Sequence, residues 1–153
     1  MQYLTLKLSD VEYAIDILSV QEIRSYEQPV RMVNSASYAK GIINLRGTVP
    51  ILDLRLKFNL PKADIDESTI VIVINIASKV IGVVVDSVSD VVNINEEDIK
   101  PAPEFDNENV NKLIKGLVNL NGRLMIIANI EPFVDVNSTE LYTAKDPALA
   151  ELV

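Results

Sequence analysis

The 153-residue chain has no histidine, no cysteine and no tryptophan. It therefore cannot supply the usual ligands of a zinc site, a thiol nucleophile, a disulfide, a Ser-His-Asp triad or a phosphorylated histidine. Basic residues are outnumbered, 14 against 22 acidic, and they are scattered, leaving a net charge of −8. That balance argues against a nucleic-acid surface, because phosphate binding needs clustered Lys and Arg. Long apolar runs are missing too. The longest, Ile70 to Val85, is broken by Asn75, Ser78 and Lys79 and is too short and too polar to enter a bilayer, so no direct membrane insertion is expected. The N-terminus, Met1-Gln2-Tyr3-Leu4-Thr5-Leu6-Lys7-Leu8, alternates like a strand and has no basic n-region or small-residue cleavage site, so it does not read as a signal peptide. Cytoplasmic residence is the expectation, and the sequon Asn137-Ser138-Thr139 is then chance.

Hydrophobic residues make up 48% of the chain, enough for a core in one domain or two small lobes. Their periodicity predicts strand after strand. Leu4, Leu6 and Leu8 share one face, as do Tyr13, Ile15 and Ile17, with Ser9-Asp10 as the turn between them. Ile42 to Arg46 and Val49 to Leu54 meet at Gly47, and Asp53 is placed to cap a brief helical turn through Lys57. Thr69 to Ile76 and Val80 to Val85 are almost wholly β-branched or apolar, joined by Ala77-Ser78-Lys79. Ile114 to Leu120 and Arg123 to Ile130 flank Asn121-Gly122, a pair that accepts positive φ at both centres of a type I′ turn. Many short strands with frequent turns point to small barrels or a sandwich.

Helical patterns are weak and confined to Asn107 to Leu113 and Ser138 to Leu152. The polar stretch 60–68 reads as a mobile loop inside or between two lobes, and 138–153 as a charged tail. Asp86 and Asp90 flank Val88 after a buried strand, where they either end the strand and face water or lie on a partner surface. Glu96-Glu97-Asp98 reads as a solvated turn or a first helical turn. Asp64, Asp66 and Glu67 lack the glycine and terminal glutamate of a calcium loop, so no metal and no cofactor is expected. An enzyme would have to rely on carboxylate pairs with Lys or Arg, and no shielded pair or glycine-rich phosphate loop is evident.

One segment stands apart. Gly41-Ile42-Ile43-Asn44-Leu45-Arg46-Gly47-Thr48-Val49-Pro50 sets an arginine on a glycine turn between two apolar strands, with no acid beside it in sequence. Strands fix the backbone while the turn presents a long cation, which is the layout of a recognition surface. Arg46 as a local ion pair to Glu22 or Asp53 is the plainer reading, and Gly41 and Gly47 as simple turn glycines another.

Six segments in order, Tyr13 to Ile17, Val20 to Arg24, Gly41 to Gly47, Val49 to Phe58, Ile81 to Val91 and Ile99 to Phe105, together resemble the bacterial chemotaxis coupling proteins, the CheW family. The resemblance runs from about Tyr3 to Phe133 and makes 1–153 a single CheW-like domain. It implies a mainly β fold of two small five-stranded SH3-like barrels packed over a shared apolar core, with short helical segments. It also implies a non-catalytic adaptor that binds the cytoplasmic tip of chemoreceptors and the regulatory domain of the CheA histidine kinase, recruited to the inner face of the membrane through receptor arrays. A scaffold of the same fold serving another sensory kinase pathway is the alternative.

Carried over position by position, the family's receptor-facing surface falls on Val20, Glu22, Gly41, Arg46 and Gly47, with Asn44 and Leu45 supporting the turn. The kinase-facing residues are not assigned, because exposed and core valines look alike in strands this apolar. The chain departs from the family pattern in two places. Two residues, Thr48 and Val49, separate Gly47 from Pro50 where the family has three, a shortfall to be absorbed at the turn or by loss of a bulge. Ser35-Ala36-Ser37 stands where the family has a proline before the aromatic residue, here Tyr38.

Overall fold

The structure is a computed structural model that describes residues 1–30, 39–45, 47–58, 60, 64–103 and 111–134. The expected helices over Asn107 to Leu113 and Ser138 to Leu152 lie wholly or mostly outside the described residues, as do Arg46, the Ser35 to Tyr38 turn and the 138–153 tail.

Among the described residues ten strands form two antiparallel-rich sheets. They are β1 (Gln2–Leu8), β2 (Val11–Asp16), β3 (Val20–Ser25), β4 (Ala39–Asn44), β5 (Thr48–Asp53), β6 (Ile70–Ile76), β7 (Lys79–Val85), β8 (Ser87–Asn93), β9 (Ile114–Leu120) and β10 (Arg123–Ala128). The first sheet has the order β8-β1-β2-β10-β9 and the second β3-β6-β7-β5-β4. The lobes are thus not successive halves of the chain: the first is assembled from both ends and the second from the middle. The chain crosses between them twice, at the 3₁₀ turn Ile17–Ser19 and at Asp86. Of the 60–68 stretch, Leu60 and residues 64–68 are described, between α1 (Leu54–Lys57) and β6 of the second sheet.

Both lobes are mainly β and SH3-like, as expected, and each follows one plan. A tight hairpin, β1–β2 or β6–β7, pairs on one side with an edge strand carrying a bulge, β8 or β3. On its other side it pairs in parallel with β10 or β5, the second strand of another hairpin. The registers superimpose: Ile51 faces Gly82 and Gly41, while Ile127 faces Ala14 and Gly116. Isolated bridges Val30 to Ile42 and Lys100 to Leu117 occupy matching positions at the edges.

Strand alternation builds three cores. Tyr3, Ala14, Val118, Met125 and Ile127 fill the first lobe, and Ile43, Val49, Ile51, Val71, Val73 and Val84 fill the second. The opposite faces meet in the largest cluster, where Leu4, Leu6, Leu8, Tyr13 and Ile15 of the first sheet pack on Leu52, Ile72, Ile74, Ile81 and Val83 of the second. Each such fully buried aliphatic side chain contributes roughly 1.5–3 kcal/mol relative to exposure. The rings of Tyr13 and Phe58 meet across this interface at 5.0 Å, tilted by 51°.

The hairpin expected at Asn121-Gly122 is present with φ of 52° and 85°. Ser9-Asp10 and Ala77-Ser78 adopt the same doubly positive φ without any glycine. Ile17, expected to continue β2, instead begins the 3₁₀ turn that Asp16 caps, its carboxylate accepting from the Leu18 amide at 2.9 Å. Ser87–Asn93 forms a strand that was not expected, and Glu96–Asp98 forms a 3₁₀ turn.

Candidate functional site

The β4–β5 hairpin carries most of the candidate residues. Its ladder runs unbroken from Gly41 opposite Ile51 through Ile42–Pro50 and Ile43–Val49 to Asn44–Thr48. The short link between Gly47 and Pro50 therefore leaves alternation intact, and Ile43 and Val49 both reach the lobe core. Leu45 packs against the same core. The turn is closed twice, by the Leu45 amide donating to the Gly47 carbonyl at 2.9 Å and the Gly47 amide donating to Asn44 Oδ1 at 3.1 Å. Gly47 sits at φ +136°, a region that side chains rarely enter. Gly41 is buried where Lys40 bulges from the ladder between Ala39 and Gly41. Arg46 itself lies outside the described residues.

Beside this hairpin lies an open groove of about 540 Å³ walled by Glu27, Val30, Ile42, Asn44 and Thr48. Val30 bonds to Ile42 in both directions at 2.9 Å while its side chain remains 67% exposed. An apolar side chain held out of a rigid bridge gives the groove a hydrophobic lip.

Val20 and Glu22 are on β3, the opposite end of the sheet order from β4. The structure thus gathers Gly41, Asn44, Leu45 and Gly47 in one hairpin and sets Val20 and Glu22 on another strand. Val20 is half-buried against the inter-lobe core. Glu22 accepts from Arg24 at 3.0 Å, and the other terminal nitrogen of Arg24 reaches Glu27 on the groove wall at 3.5 Å. These half-exposed pairs orient side chains more than they stabilise the fold.

Asp53 caps α1 as expected, accepting from the Arg55 amide at 3.0 Å. It also belongs to a buried ionic cluster. Arg55, fully buried, donates Nε and Nη2 to the two Asp53 oxygens at 3.1 Å each and Nη1 to Asp86 Oδ1 at 2.9 Å. Lys40 approaches Asp53 at 3.7 Å. Burial works to strip the Arg55 proton, but the hydrogen bond and charge of Asp53, with those of Asp86, outweigh it and hold the group above its ordinary value. Tyr26 is pushed up by burial and by the Asp53 charge, with Arg55 opposing.

Asp86 and Asp90, for which water and a partner surface were both open, are engaged within the chain. Asp90 pairs with Arg123 through both oxygens, at 3.2 and 3.1 Å, and with the buried Thr5 hydroxyl. Arg123 also donates to Glu12 at 2.8 Å. Among the described residues no three carboxylates gather in a way that could hold a metal ion, and no helix is long and apolar enough to cross a membrane.

Arg55 and Arg123 as structural cations escaped the sequence reading. One sequence feature pointed to part of the plan: Lys40-Gly41-Ile42-Ile43-Asn44-Leu45-Arg46-Gly47 is repeated as Lys115-Gly116-Leu117-Val118-Asn119-Leu120-Asn121-Gly122. The two copies form the matching hairpins.

Residues 2–137 match the family model described as a CheW-like domain. The chain is 47% identical over 131 residues to the chemotaxis protein CheW of Klebsiella aerogenes, covering 85% of this chain and 79% of that protein. It is 34% identical to the chemotaxis protein CheW of Bacillus subtilis, covering 84% and 83%. Its fold matches the crystal structure of the scaffolding protein TtCheW from Thermoanaerobacter tengcongensis with a TM-score of 0.81 at 25% identity, over 91% of this chain and 95% of that one. The chain belongs to the CheW-like family of chemotaxis scaffold proteins.

Proposed function

We propose that the chain is a non-catalytic adaptor that binds the cytoplasmic tip of chemoreceptors and the regulatory domain of the CheA histidine kinase, coupling one to the other. The β4–β5 hairpin, with Val20 and Glu22 of β3, is its receptor face. The observation that supports this most is the Asn44 side-chain cap on the Gly47 amide beside an open groove with the exposed Val30 at its lip. A receptor tip is a helical hairpin with an apolar stripe bordered by acidic and polar groups. Such a groove takes the stripe, and Arg46 bonds oxygen acceptors at its edge and fixes register. The receptors hold the chain at the inner face of the membrane. Affinity for a single tip is modest, with avidity supplied by the array.

Calorimetric titration against a CheA regulatory domain and, separately, a receptor-tip hairpin tests this, with Arg46→Ala alongside. Binding to both, with only the receptor arm weakened in the variant, is expected. Binding to neither would reassign the chain to another sensory kinase pathway. Unfolding of Arg46→Ala, where a surface change should cost within about 0.5 kcal/mol, would make Arg46 structural.

A further inference from the structure

The common plan of the lobes makes their two crossovers equivalent, and the equivalence exposes an asymmetry. With the hairpin turns and the parallel pairs aligned, Asp86 corresponds to Leu18, Asp53 to Asn129 and Arg55 to Glu131. At the β7–β8 crossover the ionic chain runs from Asp53 through Arg55 to Asp86 Oδ1 at 2.9 Å, and Asp86 Oδ2 accepts from the Ser9 amide of the β1–β2 turn at 2.7 Å. The Asp86 amide in turn donates to the Lys7 carbonyl at 3.1 Å. One aspartate is therefore bonded to both lobes at once.

Leucine, asparagine and glutamate cannot form that chain. At the β2–β3 crossover Leu18 is instead 86% exposed at a groove of about 350 Å³ that Asn75, Asn129 and Glu131 help to line.

We propose that Arg55 and Asp86 are positioning residues forming a one-sided latch: they fix the lobes at the β7–β8 crossover and leave relative motion to occur as a hinge that opens at Leu18. This follows from the fold alone and does not rest on the coupling role. A latch of this kind sets the angle between the lobe carrying the β4–β5 hairpin and its neighbour. Two features suit it to the task. Arg55 is fully buried and the Asp86 carboxylate 28% exposed, so salt screens the pair less than one at the surface. Each Asp86 oxygen has a separate donor, so neither bond can be kept by simple rotation once the other lobe moves.

The absence of native cysteine makes the test direct, because Ser25→Cys and Asn93→Cys place spin labels on exposed, equivalent edge positions of the two lobes without background. With the latch intact the distance distribution is expected to be narrow, and Asp86→Asn to broaden it or add a second component. Gly82→Ala, a strain confined to the second lobe, serves as the control for stability loss and should leave the distribution unchanged. A distribution unaltered by Asp86→Asn would overturn the proposal and leave the pair a stability element. Amide exchange in the unsubstituted protein decides independently of whether that variant folds. The Ser9 and Asp86 amides should exchange only by global unfolding, and Asp86→Asn should cut Ser9 protection about tenfold or more, as loss of a charged acceptor implies. Rapid native-state exchange at Ser9 and Asp86 would equally overturn it.

Discussion

Asn44 Oδ1 accepts from the Gly47 amide at 3.1 Å, and Asn119 Oδ1 accepts from the Gly122 amide at 3.0 Å, so one capping device closes the equivalent hairpin of each lobe. In the first lobe the turn lies between the paired residues Leu120 and Arg123, whereas in the second the ladder ends at Asn44 and Thr48 with three residues outside it. There the asparagine cap acts beside the Leu45 amide to Gly47 carbonyl bond. Asn44→Ala is expected to cost about 1 kcal/mol, to speed exchange of the Gly47 amide and to weaken receptor-tip binding without altering kinase binding. Unchanged Gly47 exchange would show that the cap does not hold the turn.

Two glycines set a clear order of cost. A Cβ on Gly82 would lie 2.6 Å from Ile51 Cδ1 and 3.0 Å from Val71 Cγ1, side-chain carbons of the lobe core that yield more readily than backbone. On Gly116 it would lie 2.5 Å from the Lys100 backbone oxygen, which is held by reciprocal bonds to Leu117 at 2.7 and 2.8 Å. Gly82→Ala should therefore cost about 1–3 kcal/mol by overpacking, and Gly116→Ala more, with release of the Lys100 to Leu117 bridge. Chemical denaturation of both variants measures it, and the reverse order would contradict the packing.

Local chemistry made part of this legible. Alternating Leu4, Leu6 and Leu8 marked the inter-lobe face, Asn121-Gly122 the tight turn, and Asp53 the helix cap, because each depends on neighbours a few residues away. Edge strand β8 was hidden, since Ser87-Val88-Ser89-Asp90 alternates polar with apolar only weakly and its pairing partner is β1, some 85 residues earlier. The turns at Ser9-Asp10 and Ala77-Ser78 fall where expected, but their positive φ without glycine is imposed by hairpin twist. Arg55 is held in its buried place by Asp53, which takes two of its hydrogen bonds, and by Asp86, 31 residues away, which no local pattern reveals. The lobe boundary could not be found by splitting the chain, because the first lobe closes through its two ends. At the candidate site, Gly41 to Gly47 was legible as a unit, while Val20 and Glu22 were placed by resemblance and stand on a separate strand.

Arg55 separates two ways of losing an ion pair. Arg55→Met removes the cation and leaves Asp53 fully buried with the residue 55 amide and Lys40 at 3.7 Å, so about 3–5 kcal/mol of stability should disappear. Arg55→Met with Asp53→Asn leaves a neutral cap that still accepts from the residue 55 amide, and should recover a large part of that loss. Denaturant unfolding of the two variants is the measurement. No recovery in the double variant would mean that Arg55 stabilises through its packing and not through its charge.

The Asp90–Arg123 pair should shape the acid limb of stability. Arg123 hydrogen bonds first, then the Thr5 hydroxyl, hold the Asp90 carboxyl below its usual value of 3.8 in the folded chain. A depressed folded value means that the unfolded chain binds the proton more readily as pH falls. Stability from Asp90 is therefore complete above the usual carboxylate range and drains away as pH drops through the lower folded value. Asp66, lowered by the Ser68 hydroxyl and amide, adds to the same limb. Arg123→Gln brings the folded Asp90 value back toward the unfolded one, so the loss of thermal midpoint below about pH 4 should become shallower while the Asp66 share persists. Because the pair is half-exposed, high salt should flatten the unsubstituted protein's acid limb in the same direction. Thermal melts across pH 2.5 to 7, roughly the span over which these carboxyls titrate, decide it. An acid limb equally steep in Arg123→Gln would place the titrating carboxylates elsewhere and reduce the Arg123 bridge to a tie from β10 to β8 and β2.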